Sequence, residues 1–132
     1  MKPIKKRLIV KTSISNVWAA LTGPKAIEAW MGGPVKSNPR IGGRYAYFGG
    51  ETTGRYTRVE KPTELAYTWR QSRWPDEWAD SRVHWKLKPV QAGTQIDLTH
   101  SSFPNQDERD SHDLGWDEYW LGPMQAWLES GK

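Results

Sequence analysis

A chain of 132 residues carrying a formal charge of +4, nine tryptophans and no cysteine has the size of one ordinary domain that buries a core without staples. The missing cysteines exclude a disulfide framework, and no apolar run reaches the roughly 20 residues that a bilayer crossing takes. Lys2, Lys5, Lys6 and Arg7 make a basic start, but elsewhere Lys and Arg are mixed with Asp and Glu and no ribonucleoprotein aromatic motif is present, so nucleic acid is not an expected partner.

Ile4 to Lys11 mixes β-branched residues with charges, which predicts a strand with one wet face. Met1 to Thr12 has no signal-peptide pattern, and the expected compartment is the cytoplasm. From Ser15, capping residues precede Val17, Ala20 and Leu21 at helical spacing, a short helix. Gly23-Pro24 ends it and opens a second, with Pro24 in the first turn and Ile27 and Trp30 or Met31 on the apolar side. Gly32-Gly33-Pro34 stops that one.

The middle is strand and turn. Tyr45, Tyr47, Tyr56, Val59, Leu65, Tyr67, Trp69, Val83, Trp85, Leu87, Ile96 and Leu98 fall largely in alternation. Gly42-Gly43, Gly49-Gly50, Lys61-Pro62 and Ala92-Gly93 separate the runs. Val83, Trp85 and Leu87 point one way and Arg82, His84, Lys86 and Lys88 the other, the pattern of an antiparallel sheet with one solvated face. After the polar stretch Pro104 to Ser111, Trp116, Trp120, Met124 and Trp127-Leu128 mark one face of a long helix. Pro123 lacks the amide that would bond the Tyr119 carbonyl, so a kink or a break is expected there. One domain over residues 1–132 is expected, with the helix laid across the sheet and room for a cavity between them.

Val17-Trp18-Ala19-Ala20-Leu21-Thr22 followed by Pro24 and Trp30, Ile41-Gly42-Gly43-Arg44-Tyr45, the Gly54 strand, the Gly93-Thr94 turn and His112-Asp113-Leu114-Gly115-Trp116 together resemble the family named for activators of heat-shock-protein-90 ATPase. That family belongs to the START-like, or SRPBCC, superfamily. The resemblance implies an α+β helix-grip (Bet v 1-like) fold: a curved antiparallel sheet around a long C-terminal helix, two short helices after the first strand, and often a cavity. Such a fold hosts ligand carriers, cyclases and co-chaperone domains, so the activity has to come from the site.

Trp69, Trp85, Trp116 and Trp120 are the candidates to line the space between sheet and helix, with Tyr56, Tyr67 and Met124 behind them; the alternative is that they only fill the core. Flat aromatic walls with a few N–H and O–H groups favour a small hydrophobic or aromatic ligand. His100 is in phase with Ile96 and Leu98 and points inward, to be satisfied structurally or to orient a ligand. His112 is placed at the start of the long helix, and His84 out of phase and exposed. No metal-site spacing exists, and neither metal nor cofactor is expected. Asp107, Glu108, Asp110 and Asp113 suit a helix N-terminus and carry no catalytic pairing. Arg70, Arg73 and Arg82 surround Trp74, Pro75 and Trp78, a lid, a partner-binding patch or a hairpin folded back on the sheet.

Three readings follow: a domain binding a small hydrophobic molecule in the cavity, a co-chaperone-like module binding a chaperone, and a polyketide cyclase or dehydratase-like enzyme with His100 or a tyrosine as its acid–base group.

Overall fold

The computed structural model describes residues 1–130. Strand β1 (Ile4–Val10) leads into helices α1 (Ile14–Thr22) and α2 (Pro24–Met31). Ser13 caps α1, its Oγ accepting from Asn16 N at 3.2 Å, so the helix starts one residue before Ser15. Gly23 serves both helices: its N–H donates to Ala19 O at 2.8 Å and its carbonyl accepts from Ile27 N at 2.9 Å. Gly32, with φ of 81°, closes α2 in the left-handed region that glycine enters without a Cβ penalty.

Six further strands follow: β2 (Val35–Ser37), β3 (Arg44–Tyr47), β4 (Thr52–Glu60), β5 (Glu64–Gln71), β6 (Ser81–Val90) and β7 (Gly93–Ser101), with a 3₁₀ turn at Phe48–Gly50. All pair antiparallel in the order β1-β7-β6-β5-β4-β3-β2. The expected alternation holds on β6, where Val83, Trp85 and Leu87 are buried and Arg82, Lys86 and Lys88 exposed. β2 goes unforeseen because three residues give no period to read. The β4–β5 ladder shifts register between Tyr56 and Arg58, the local bend of a bulge.

The last helix covers the inner face. It runs as α3 (Gln106–Gly115), a π-helical turn (Trp116–Leu121) and α4 (Gly122–Glu129). Its start lies well before the position read from sequence, because the polar stretch is itself helical: Asn105 Oδ1 accepts from Glu108 N at 2.8 Å, and Asp107 and Glu108 occupy the positive end of the helix dipole. His112 therefore sits in the second half of α3 rather than at the helix start.

The chain stays helical through Pro123, so neither an open break nor a loop forms there. The interruption takes the form of a widened turn in which Gly122 N–H reaches back to Asp117 O, five residues earlier instead of four. This turn also suits the aromatic spacing. Buried Trp116, Trp120, Met124 and Leu128 recur every four residues, a spacing that drifts around a helix of 3.6 residues per turn; one wider turn takes the drift back.

Candidate functional site

A cleft of about 420 Å³ opens between the ends of β4 and β5 and the π turn. Its walls are Trp69, the last buried residue of β5, and Trp116 and Trp120 of the π turn. The three indoles form one cluster, with ring centroids 4.9 to 5.6 Å apart. Phe48 and Tyr119 line the mouth and are 39% and 65% exposed. Phe48 has a φ of 54° and is followed by Gly49 and Gly50, also at positive φ; a bulky residue held in that region is backbone strain of the sort that gathers at ligand sites. The π turn is a second feature with that tendency, and both frame the same opening.

The rest of the expected ligand-binding set lies deeper and does not line the cleft. Trp85 packs edge-on under Trp116 at 5.7 Å and donates its Nε1 to Tyr67 Oη at 2.9 Å. Tyr56 bonds Ser37 Oγ at 2.7 Å, and Met124 is fully buried on α4. His100 accepts from Trp116 Nε1 at its Nδ1, 3.0 Å away, and meets Ser81 Oγ through Nε2 at 2.8 Å. Burial drives its pKa well below the usual histidine value, with nearby His112 acting the same way, so it is a neutral, satisfied side chain.

The cleft's polar side was missed by reading strand and helix faces one at a time. Glu51, Gln71, Arg73, Ser111 and His112 line it, all at element ends or on α3, where only the tertiary fold brings them together. Gly49-Gly50 was the one local signal pointing to the Phe48 turn. His112 Nδ1 donates to Glu108 O at 2.7 Å and Nε2 accepts from Trp69 Nε1 at 3.1 Å. Burial lowers its pKa and the Arg73 charge adds to that, against the Glu108 carbonyl and carboxylate. The Gln71 amide, turned to donate to Glu51 O at 3.1 Å, offers its oxygen to the same Trp69 N–H at 3.3 Å. The polar groups thus hold the indole of Trp69 in one orientation.

The segment after β5 is neither a free lid nor an exposed patch at Trp74, which is 3% exposed. Glu108 explains why: its carboxylate takes both Arg73 guanidinium nitrogens at 2.7 and 2.8 Å and Trp74 Nε1 at 2.9 Å. Arg70 bonds the carbonyls of Trp78 and Pro75 and the carboxylate of Asp80, which fastens the loop to β5. Trp78 is half-buried against the core. His84, expected exposed, is half-exposed beside Glu64.

Trp18 and Trp30 pack the short helices, Trp30 donating Nε1 to Ala20 O at 2.9 Å. Among the described residues no group of three or more His, Asp or Glu side chains could hold a metal ion, and no helix is long and apolar enough to cross a membrane.

A seven-stranded antiparallel sheet gripping a C-terminal helix of 24 residues, with two short helices after the first strand and a cleft beside the grip, defines a START-like, helix-grip protein. The family model described as activator of Hsp90 ATPase homolog 1-like protein matches residues 11–129, and the chain belongs to that family. An HSP90 activator from Plasmodium falciparum is similar over 97% of this chain and 96% of its own, with a TM-score of 0.87 at 19% identity. The solution structure of an Aha1 dimer from Colwellia psychrerythraea is similar over 100% of this chain and 99% of its own, TM-score 0.84 at 21% identity. CalU16 from Micromonospora echinospora reaches 27% identity over 96% of this chain and 65% of its own, with a TM-score of 0.80. No curated protein matches the chain.

Proposed function

We propose that the chain, acting as one START-like domain, binds a small flat hydrophobic or aromatic molecule in the cleft walled by Trp69, Trp116 and Trp120. The observation that carries this reading is three clustered indoles lining an open space of about 420 Å³, within the range of ligand sites. In this reading Trp85, Tyr56, Tyr67, Met124 and His100 form the packed floor that fixes the walls, and Gln71, Ser111 and Arg73 offer polar contacts at the rim. The cytoplasm is the compartment that goes with it, and cell fractionation checks that.

The test is a titration with 1-anilinonaphthalene-8-sulfonate followed by tryptophan quenching, with native mass spectrometry for stoichiometry. Saturable one-to-one binding supports the cleft. Binding that survives unchanged when Gly115, on its wall, becomes leucine refutes it.

Family membership favours a second reading, a module that binds a chaperone. Its test is stimulation of the cognate chaperone's ATPase by the purified protein, and no binding and no stimulation together remove it. For a cyclase or dehydratase reading His100 is a poor acid–base group, since both its ring nitrogens are engaged inside the core, and the role would fall to a tyrosine.

A further inference from the structure

We propose that the outer face of the sheet, away from the helices, is a docking surface for an acidic protein segment, centred on Lys36, Arg44, Arg55 and Arg82. This inference is independent of what the cleft binds.

Arg44 on β3 and Arg55 on β4 are direct cross-strand partners. Like charges in that position repel, and neither has a carboxylate in ion-pair range among the described residues, where Arg70 and Arg73 each have one and Arg58 has two. The neighbouring row repeats the theme. Lys36 pairs with Ala46, Ala46 with Thr53, and Thr53 with Arg70. On β5, Thr68 lies opposite exposed Arg82 and accepts from Arg55 N at 3.0 Å.

A shallow concavity of about 480 Å³ runs between Lys36, Arg44, Arg55 and Arg70. Asp80 is the one carboxylate on it, held by Arg70 at 3.1 Å. Elsewhere on this face the carboxylates are also taken: Asp97 by Arg7, and Glu60 and Glu64 by Arg58. The acidic residues gather on the far side, as Asp107, Asp110, Asp113, Asp117 and Glu118 of the last helix. A modest net charge therefore hides an uneven distribution, unpaired arginines on the outer face and carboxylates on the last helix, three of them paired with Lys6 or Arg109, and such unevenness steers an oppositely charged partner.

The surface between the cations decides the partner's class. It is floored by Ala46, Thr53, Gly54 and Thr68, and its one aromatic, Tyr45, is 2% exposed with its hydroxyl donating to Thr68 O. No ring of the concavity is free to stack on a base, the contact by which single-strand binders hold their bases, and no large apolar side chain projects from it for a lipid. What remains are guanidinium forks over a low, hydrogen-bonding floor, which fit the carboxylates of an Asp- and Glu-rich segment.

The experiment measures fluorescence anisotropy of labelled poly-L-glutamate with the intact chain at low and physiological salt, alongside amide shifts. The expected result is binding that weakens with salt, shifts confined to β2–β6, and at least a tenfold loss in Arg44→Glu/Arg55→Glu with an unchanged thermal midpoint. Arg44→Glu alone should hold or raise the midpoint while weakening binding, since it places a carboxylate opposite Arg55. Affinity within twofold of wild type in the double variant overturns the proposal. So does tighter binding of an RNA oligomer or of phosphatidylserine vesicles than of polyglutamate at matched salt.

Discussion

Trp116 Nε1 donates to His100 Nδ1 at 3.0 Å, which leaves Nε2 as the protonated nitrogen of that ring. Nε2 in turn donates to Ser81 Oγ at 2.8 Å, and Ser81 Oγ donates to Trp69 O at 2.9 Å. One chain of bonds thus runs from the last helix through β7 and β6 to β5, and its two ends are residues of the cleft wall. The histidine that the sequence offers as an acid–base candidate is a strut between two of the indoles.

This strut makes the fold sensitive to acid. Both His100 and His112 have pKa values lowered by burial, so below the unfolded value of about 6.5 the unfolded chain takes up protons that the folded chain refuses. Stability then falls with falling pH, by up to about 1.4 kcal/mol per pH unit for each histidine, and is level above about pH 7.5 as far as these groups are concerned. Glu108, Asp97 and Asp113, whose pKa values are lowered, lose their contributions only at lower pH, below the ordinary carboxylate range of about 4. Urea unfolding between pH 5 and 8 checks the window. His100→Gln, which keeps an acceptor and a donor, should flatten the slope, whereas His100→Phe leaves Trp116 Nε1 and Ser81 Oγ short of a partner and should cost about 2–4 kcal/mol at pH 7.

Glu108 joins the β5–β6 loop to α3 through Arg73 and the buried Trp74. Its side chain is 12% exposed while that of Arg73 is 59% exposed, so the larger share of the effect comes from the indole left without an acceptor rather than from the screened ion pair. Glu108→Ala should lose about 1–3 kcal/mol and increase proteolysis between residues 72 and 80. Arg73→Ala should lose clearly less. Equal losses in the two variants would contradict this account.

The face of each strand was legible because alternation is a local property: inward Tyr67, Trp69, Trp85 and Leu98 could be picked from two-residue spacing alone. Which of these faces open space depends on depth along the strand, and a period carries no depth. Trp69 and Trp85 both point inward, yet one walls the cleft and the other lies beneath Trp116. The early start of α3 was hidden by its composition, since a polar run reads as loop unless Asn105 is recognised as its cap. The π turn was legible only as trouble at Pro123; that the helix would answer with a longer hydrogen bond at Gly122 depends on the packing of Trp116 and Trp120 against the sheet.

Gly54 on β4, whose cross-strand partner is the buried Tyr45, has no room for a side chain. A Cβ there would lie 1.9 Å from Thr68 O and 2.6 Å from Tyr45 Oη, and Thr68 O is the acceptor of that same hydroxyl. Neither can withdraw without opening the β4–β5 ladder. Gly54→Ala should therefore cost more than about 3 kcal/mol, beyond the ordinary range for a point change, and thermal denaturation checks it. A loss under 1 kcal/mol would mean that the two strands are held less tightly than described.

Gly115 gives the opposite case and the sharpest test of the cleft. Its backbone is helical, φ −62° and ψ −36°, and the nearest atom to an added Cβ is Tyr119 Cδ2 at 3.9 Å, an ordinary contact. Gly115→Ala should stabilise the protein by about 0.5–1 kcal/mol, because glycine in a helix forfeits that much in backbone entropy. Gly115→Leu puts a bulky side chain on the cleft wall beside Tyr119. It should hold the thermal midpoint near wild type while reducing saturable binding of 1-anilinonaphthalene-8-sulfonate at least tenfold. Loss of binding with the midpoint kept separates an occupied cleft from a damaged fold, which truncating any of the three indoles would not do, since each is also part of the core.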